Sequence, residues 1–530
     1  MIVKDDLHIG SPFVPDLVAS FMQQDENIRR FVDWDPTLTA VTAYADERVF
    51  SQEKRDILVR VLGEQYADIG GSKQVVLDNI ASLADTHTFT ITTWQQVHAF
   101  LWPVFFVTKI LDCIAAARQA TQDGKWNTFV PVFWMATEDH DFAEVSTVSI
   151  YNTPFVWETT GVGWPVGRLS PAWLVAMAQA LRERLDDTAL HATYMDLFTY
   201  AYTHFTTLWQ ATHYLLDALF GDRWLIVVDG DDTQLKALFA PIMSADIFLQ
   251  NSYSAIVQQT EKLTTLWLKK QAHPREINVF FMTDSHRGRI IADGDMYTVD
   301  GSDLRFSAAD LADKLANTPD AFSPNVFLRP LYQETVLPNV LYIPGPAEFN
   351  YWLQMKELFA VHGLSMPVVI PRTFNQFLST KNYEKIAEGP IDLVSYFSSY
   401  DVFLDAIKRI DADTLADTHE FISVLEKDLA AMQDNFATKR IAHKRIQKSI
   451  ELIRKEVDNV RAIVNIATTT ALEESENYAP YIKIKQKFFS LEDRFERENS
   501  VVGQLSVIDA LLQQDIISSA LGSVLLYIYN

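Results

Sequence analysis

Five short apolar segments, separated by longer helical patterns, mark the middle of the chain. They comprise residues 88–92, 129–135, 223–228, 340–343 and 366–370. Each has the length and composition of a buried strand. The first two flank a helical pattern at residues 97–119, which predicts a βαβ unit with parallel strands and a right-handed crossover. The whole pattern predicts an α/β fold: a mostly parallel sheet flanked by helices, with strand-rich residues 273–303 inserted between its halves.

From about residue 383 the pattern changes to nearly uninterrupted helix. One seam there advances by alternating steps of four and three residues and has two polar members, Lys439 and His443. It runs through Leu425, Leu429, Met432, Phe436, Lys439, His443, Ile446, Ile450, Ile453, Val457, Val460 and Val464. A 3.5-residue repeat sustained over this length predicts a coiled coil.

These patterns divide the chain into four parts. We expect residues 1–85 to be a helical lead-in packed on the core and residues 86–380 to be the core with its inserted segments. Residues 381–500 would form a helical coiled-coil domain, and residues 501–530 would return to the main body.

Composition narrows the classes of function. The chain of 530 residues has 45 Lys and Arg against 69 Asp and Glu, a formal charge of −24. This balance argues against a nucleic-acid partner, because such binding needs basic surface. The amino terminus lacks the pattern of a signal peptide, and no apolar run is long enough to span a bilayer. The single cysteine, Cys113, lies on a helical pattern as a buried hydrophobe would. We therefore expect a cytoplasmic protein with no membrane partner.

The second apolar segment ends abruptly in four polar residues, Glu138, Asp139, His140 and Asp141. Ligands of parallel sheets bind beyond the carboxyl ends of the strands. A metal site is not expected, because adjacent residues rarely face one ion and HExxH-type spacing is absent. A general base, or a carboxylate that binds an amine, fits better. The structural alternative is a capped helix start with a satisfied histidine.

The neighbouring strand ends supply further candidates. The third apolar segment also ends in acids, Asp229, Asp231 and Asp232, although Asp232 suits a helix cap. The turn after the first segment has no GxGxxG dinucleotide fingerprint and offers the amides of Gln95 and Gln96 instead. Lys109 follows in the helical pattern. It could reach a phosphate or carboxylate, or its ammonium could extend to solvent from a helix flank.

Three arginines, Arg275, Arg329 and Arg372, each stand beside a proline near a predicted strand. Guanidinium groups held in this way suit the capture of carboxylates or phosphates, and ion pairing with nearby acids is the structural alternative. Tyr332, Gln333 and Glu334 follow Arg329 and could orient a polyol.

Four segments together carry a specific resemblance. They read TEDHDFAEV, HPREIN, SPNVFLRPLYQETVLPN and GPAEFNYWLQMK. In this order they resemble the bacillithiol biosynthesis cysteine-adding enzyme family (BshC). The resemblance implies a Rossmann-like core with connecting-peptide insertions and a coiled-coil domain through which two chains dimerise. It implies a ligase that joins the carboxyl of cysteine to the amine of glucosaminyl-malate. The cofactor is left undefined, with an adenine nucleotide as the candidate.

The resemblance also implies roles for the residues in the matched segments. Glu138 to Asp141 would line the cleft, and His140 or Glu138 would take the proton of the attacking amine. Arginines would bind the malate carboxylates, and acid, amide and phenol groups would bind the sugar. The residues in the other segments are Arg275, Asn278, Arg329, Tyr332, Gln333, Glu334 and Glu348.

The chain departs from the family where glycines are usual. Thr93-Trp94-Gln95-Gln96 replaces a TGQQ-type turn, and Trp102 precedes Pro103 at the second glycine position. Glycine lets a backbone approach a ligand closely, whereas an indole fills that space. Two alternatives therefore stand beside the ligase: a catalytically impaired relative that acts as a dimeric binding protein, and a metal-dependent hydrolase.

Overall fold

The architecture comes from a computed structural model that describes most of the chain. The described residues are 3–7, 14–101, 103–150, 153–157, 163–266, 268, 270–283, 285–396, 398–410, 423–424, 426–432, 434–435, 444–489, 504–513 and 521–529.

Fifteen strands lie in these ranges: β1 Val3–Leu7, β2 Thr88–Gln96, β3 Thr128–Ala136, β4 Thr147–Ile150, β5 Thr153–Val156, β6 Ile226–Asp229, β7 Val279–Thr283, β8 His286–Asp293, β9 Met296–Val299, β10 Arg305–Ser307, β11 Phe322–Pro324, β12 Asn339–Tyr342, β13 Val368–Val369, β14 Phe374–Ser379 and β15 Val524–Tyr529.

The α-helices with defined bounds in the same ranges are α1 Asp16–Met22, α2 Glu26–Arg29, α3 Leu38–Glu47, α4 Gln52–Asp68, α5 Gln74–Ser82, α6 Val104–Asp123, α7 Phe142–Val145, α8 Ala172–Arg182, α9 Ala189–His204, α10 Leu208–Phe220, α11 Thr233–Leu249, α12 Asn251–Thr264, α13 Ala308–Asn317, α14 Leu328–Val336, α15 Pro346–Trp352, α16 Lys356–Val361, α17 Thr380–Ala387, α18 Leu393–Tyr396, α19 Tyr400–Ile410, α20 Lys444–Glu474, α21 Ala479–Phe489 and α22 Leu505–Gln513.

The central sheet contains five parallel strands in the order β13–β12–β2–β3–β6. The chain builds this sheet outward from β2 in one direction and then from β12 in the other, so the strand order reverses between these two strands. This is the doubly wound arrangement, in which ligands bind beyond the carboxyl ends near the reversal. The predicted α/β fold with a parallel sheet is confirmed.

The side chains of β3 alternate between two hydrophobic cores. Val132 and Trp134 belong to one core with apolar residues of α4 and α11, whereas Phe133 and Met135 belong to the other with residues of α6 and α10. Successive side chains of a strand point to opposite faces, and helices cover both faces of this sheet. The strand is therefore apolar at nearly every position, which is why it stands out in the sequence.

The helix after β2 begins later than its sequence pattern suggests. Residues Ala99–Leu101 form a short 3-10 turn in which Phe100 and Leu101 take φ of 56° and 55°, and α6 begins at Val104. Proline cannot occupy a helix interior without loss of a hydrogen bond, so Pro103 ends the turn and precedes the helix. Trp102 lies outside the described residues.

Two further sheets surround the core. β7 to β11 form an antiparallel sheet in the order β10–β9–β8–β7–β11, inserted between β6 and β12 along the chain. In the third sheet, β15 pairs with both β1 and β14. The two ends of the described chain therefore meet beside the segment that leaves the core.

The long helix α20 carries part of the predicted coiled-coil seam. Ile450 and Val457 are buried, whereas Ile453 and Val460 are 44% and 40% exposed. The seam residues Leu425, Phe436, Lys439 and His443 lie outside the described residues, and the coiled coil stays a prediction. Among the helices that the structure describes, none combines the length and hydropathy needed to cross a membrane.

Phe133 provides a direct test of the central sheet. Replacement by Ala removes a fully buried ring from β3 and should lower the free energy of unfolding by about 3–5 kcal/mol. Urea denaturation followed by circular dichroism measures the change. Val361→Ala, at a 47% exposed position of α16, is the control and should stay within about 0.5 kcal/mol of the parent. Equal effects of the two substitutions would contradict the buried position of β3.

Candidate active site

A cavity of about 810 Å³ opens at the carboxyl ends of β2 and β3. Trp94 and Trp134 come from these strands, and Glu138, Asp139 and His140 follow β3 directly. The opposite wall comes from the inserted sheet and from the residues before and at the start of α14. The cavity therefore lies between the parallel sheet and its insertion, at the edge where the fold predicts a ligand site.

A buried ammonium group organises the acidic side of the cavity. The Lys236 Nζ atom lies 2.7 Å from Glu138 Oε1 and 2.6 Å from Asp231 Oδ1, and the lysine is completely buried. Arg168 binds the same Asp231 carboxylate through Nε at 2.7 Å and Nη2 at 3.0 Å. Burial raises the pKa of Glu138 despite the attraction of Lys236. Burial also acts to raise the pKa of Asp231, but Lys236 and Arg168 outweigh it and lower that pKa.

The next carboxylate, Asp139, is held in its ionised form. It accepts hydrogen bonds from Gln96 Nε2 at 2.7 Å and from the backbone N–H of His140 at 2.7 Å. Burial opposes ionisation, yet the contacts with His140, Arg287 and Gln96 bring the pKa of Asp139 well below its usual range. The cavity thus contains a fixed negative charge next to Glu138.

Arg287 fixes the orientation of His140. Its Nη1 atom lies 2.9 Å from His140 Nδ1, while Nε and Nη2 donate to Ser323 Oγ at 3.1 and 2.9 Å. The guanidinium also lies over the Phe280 ring at 4.1 Å. A guanidinium can only donate, so Nδ1 accepts in this contact and the ring proton lies on Nε2. In this state His140 is a hydrogen-bond donor to any group that meets Nε2.

A second arginine lies on Trp94. The Arg329 guanidinium is 4.9 Å from the centre of the Trp94 ring, and its Nη1 donates to Gln333 Oε1 at 3.1 Å. The buried Nη2 atom has no hydrogen-bond partner within the part of the chain that the structure describes. Lys109 also contacts Trp94: its Nζ donates to the Trp94 carbonyl at 2.7 Å and forms an ion pair with Glu348. Trp94 is therefore a packed component of the cavity wall.

The predicted site residues fall into three groups. Five line the cavity: Glu138, Asp139, His140, Arg275 and Arg329. Seven lie behind these residues or behind their neighbours in the wall: Gln96, Lys109, Asp229, Asp231, Tyr332, Gln333 and Glu348. Six lie elsewhere: Gln95, Asp141, Asp232, Asn278, Glu334 and Arg372.

Local geometry explains why the first three of the six do not reach the cavity. Gln95 points to the opposite face of β2 from Gln96, because side chains alternate along a strand, and its amide lies 3.5 Å from His98. Asp141 is exposed at the start of α7. Asp232 caps α11 by accepting from two backbone N–H groups at 2.8 and 3.0 Å, as its cap pattern predicts.

The other three have buried partners of their own. Asn278 donates to Asp246 Oδ1 at 3.0 Å, and Arg372 Nη1 donates to the Thr373 carbonyl at 2.6 Å. Glu334 accepts from Asn339 at the amino end of β12, the end opposite to the cavity. None of these six residues lines the cavity, and their contact with substrate stays a prediction.

Sequence reasoning missed the inserted wall. His273, His286, Arg287 and Arg289 all line the cavity, and Lys236 and Arg168 stand behind its acidic side. One signal was available: Arg287 and Arg289 are two residues apart in a predicted strand, a spacing that places both side chains on one face. The positions of Lys236 and Arg168 carry no comparable local signal.

The acidic residues are paired with cations and hydrogen-bond donors. Within the described ranges, His, Cys, Asp and Glu form no group of three or more that could hold a metal ion. Glu138 and Asp231 meet Lys236, and Asp139 meets Gln96. The metal-dependent hydrolase therefore gains no support from the arrangement of these residues.

Comparison with known proteins assigns this architecture to a family. The family model described as "Bacillithiol biosynthesis BshC, N-terminal Rossmann-like domain" matches residues 5–373, which span the central sheet, the insertion and the cavity. The chain belongs to the bacillithiol biosynthesis BshC family. The predicted resemblance and the Rossmann-like core are confirmed.

Several BshC relatives extend the match along the chain. A protein of Cytophaga hutchinsonii is 33% identical over 72% of this chain and 71% of its own length. A relative from Flavobacterium johnsoniae is 33% identical over 75% of both chains. A third, from Flavobacterium psychrophilum, is 30% identical over 80% of this chain and 79% of its own. All three carry the name "Putative cysteine ligase BshC".

Asp229 makes the stability of this region depend on pH. Burial raises the pKa of its carboxyl to about 7, above the value of about 3.9 for an unfolded chain. Between these pH values the folded state therefore binds more protons than the unfolded state. The stabilisation from the protonated Asp229 carboxyl is complete below about pH 4 and is lost as the pH rises through 7. Asp229→Asn should remove a loss of stability of about 4 kcal/mol between pH 4 and 8.

Urea denaturation at several pH values measures this difference. Asp222→Asn, at a side chain that is 72% exposed, is the control and should leave the pH dependence unchanged. A parent-like pH profile in Asp229→Asn would show that Asp229 does not hold its proton in the folded state.

Proposed function

We propose that this protein joins the carboxyl of L-cysteine to the amine of glucosaminyl-malate, forming the amide bond of bacillithiol. The proposal rests on one observation: the two facing walls of the cavity carry side chains of opposite charge. The end of β3 supplies carboxylates and an imidazole, and the other side supplies the guanidinium groups of Arg275, Arg287, Arg289 and Arg329. A substrate with an amine at one end and two carboxylates at the other suits this arrangement, and the relatives bear the name of a cysteine ligase.

The arginines would bind the malate portion. Carboxylates form their strongest protein contacts with guanidinium groups, which present two parallel N–H donors. Arg329 has an unpartnered Nη2 in the described structure, and Arg275 is exposed at the cavity edge. These two groups are available to a ligand, whereas Arg287 is engaged with His140 and Ser323.

The acidic wall would handle the amine. Ionised Asp139 attracts the substrate ammonium, which must lose a proton before it can attack. Glu138 is the proposed base, because its raised pKa brings it closer to neutral pH, where a base acts most effectively. As the new C–N bond forms at the cysteine carbonyl carbon, the bond from that carbon to its leaving oxygen breaks and Glu138 receives the amine proton.

His140 would act on the carbonyl oxygen. The sequence suggested His140 or Glu138 as the base, and the contact with Arg287 favours Glu138, because Nδ1 of His140 accepts from Arg287 and Nε2 carries the ring proton. From Nε2 the imidazole can donate to the oxygen that gains negative charge as the amine attacks. An adenine nucleotide is the candidate for activating the carboxyl, and we assign no residue to it.

The cavity beside His140 is open. Trp94 forms part of the wall and packs on Arg329, and about 810 Å³ of space remains in front of it. The catalytically impaired binding protein, which the two tryptophans suggested, therefore gains no support from Trp94.

Two substitutions separate the proposed roles. Glu138→Gln should lower kcat by about 10²–10⁴-fold with little change in KM, because it removes the base. Arg275→Gln should raise the KM for glucosaminyl-malate by about tenfold with a smaller effect on kcat, because it weakens ground-state binding. Mass spectrometry of the product, with cysteine, glucosaminyl-malate and each candidate nucleotide, measures both constants.

Arg305→Gln is the matched control, since Arg305 belongs to the same inserted sheet but is exposed and paired with Asp293. It should leave both constants unchanged. Absence of product from the parent protein with every nucleotide tested would count against the ligase itself.

We also propose that two chains dimerise through the helical region at residues 381–500. The support is the exposure of two apolar members of the predicted seam on α20, Ile453 and Val460, which are 44% and 40% exposed. Apolar seams of this length are usually covered by a partner helix.

Ile453→Asp should shift the protein from dimer to monomer in sedimentation velocity, because it places a charge in the seam. Val361→Asp, at a similarly exposed position on α16, should remain dimeric. A monomeric parent, or a dimeric Ile453→Asp variant, would refute this interface.

A further inference from the structure

A second cavity, of about 570 Å³, lies at the amino end of the parallel sheet, away from the candidate active site. Its wall comes from the residues around α3, the start of α4, Glu334 of α14 and the loop after α16. Glu334 shows that the cavity lies at this end of the sheet: its Oε1 accepts from Asn339 Nδ2 at 2.7 Å, and Asn339 is the first residue of β12. The two cavities therefore open at opposite ends of the same strands.

Two cations face this cavity. The Arg48 side chain is 8% exposed; its Nη1 donates to Tyr44 Oη at 3.1 Å, and its Nη2 donates to the Glu334 carbonyl at 3.0 Å. Its buried Nε has no hydrogen-bond partner in the described ranges. Lys54 also lines the cavity, and no carboxylate among the described residues forms an ion pair with its ammonium. Burial and then the charge of Arg48 lower the pKa of Lys54.

Aromatic rings line the same cavity. Trp34 and Tyr44 contact each other with their ring centres 5.0 Å apart, and Phe50 lies 5.7 Å from Lys54 Nζ. Flat apolar faces next to cationic groups favour a ligand that combines a planar ring with a negative charge.

Three acids also line the cavity: Asp33, which pairs with Lys356 at 3.0 Å, Glu47, and the buried Glu334. Glu334 is 1% exposed, and its Oε2 has no hydrogen-bond donor in the described structure; the nearest cation, Arg48 Nη2, is 3.6 Å away. Burial raises the pKa of this carboxyl to about 7, against the charges of Arg48 and Arg329. Protonation of Glu334 would remove a negative charge from the cavity and make it more favourable for an anion.

We propose that this cavity is a second binding site, for a small anion that carries a planar ring. Its anionic group lies between Arg48 and Lys54, and its ring packs on Trp34 and Phe50. The site is separate from the proposed ligase reaction and needs no step of it.

Isothermal titration of the full chain with benzenesulfonate tests the site, because this probe keeps a constant charge between pH 6 and 8. We expect saturable binding that Lys54→Gln weakens at least tenfold. Lys262→Gln is the control, since Lys262 is exposed and paired with Glu357 on another surface, and it should bind as the parent does. No saturable binding to the parent, or equal binding by Lys54→Gln, would overturn the proposal.

Two further titrations identify the place and the chemistry. Methanesulfonate has the same charge without a ring and should bind at least tenfold more weakly; equal affinity would exclude the aromatic walls. Arg275→Gln should bind benzenesulfonate normally, and loss of binding in this variant would place the anion in the candidate active site and overturn the proposal.

The pH dependence supplies an independent check through Glu334. The charged and titratable groups facing it are Arg48 and Tyr44 from the α3 region and Arg329 on its own helix; Asp33, Glu47 and Lys54 line the same cavity. Affinity for benzenesulfonate should rise severalfold from pH 8 to pH 6 in the parent. Glu334→Gln should bind tightly at both values. A parent affinity that is constant or falls toward pH 6 would contradict a role for Glu334.

Discussion

The architecture of the candidate active site depends on the ion pairs of Lys236. Its ammonium joins Glu138 after β3 to Asp231 after β6, and it also donates to the Asp320 carbonyl in the inserted region at 3.2 Å. A completely buried charge without such partners would cost several kcal/mol. One side chain on α11 thus ties two strand ends to the insertion, and it keeps two carboxylates close together that would otherwise repel each other.

The two walls of the cavity have different structural origins. The parallel sheet supplies acids because its strands end at one edge, and the insertion supplies arginines from an antiparallel strand that crosses in front of that edge. The contact between His140 and Arg287 joins the two walls. This contact occupies Nδ1 of the imidazole, so only Nε2 is left to contact a ligand. The insertion therefore determines which chemistry His140 can perform.

Trp94 shows how a residue that looks disruptive in the sequence can be accommodated. The Arg329 guanidinium and the Lys109 ammonium lie 4.9 and 5.9 Å from the centre of the Trp94 indole ring. Attraction between cations and an aromatic face stabilises this arrangement. The tryptophan occupies space next to the arginine while the cavity in front of it stays open.

The sequence by itself determined the α/β class, the strands of the sheet and the polar positions at their ends, because hydrophobic periodicity and strand ends are local properties. It also identified Asp232 as a helix cap and, through four short segments, the BshC family. Only the tertiary structure decided which polar residues meet. His140 and Arg287 are 147 positions apart, and Glu334, five positions from Arg329 on the same short helix, faces the opposite end of the sheet. Side-chain direction around a helix and contacts between distant strands depend on packing, and no local pattern of residues contains that information.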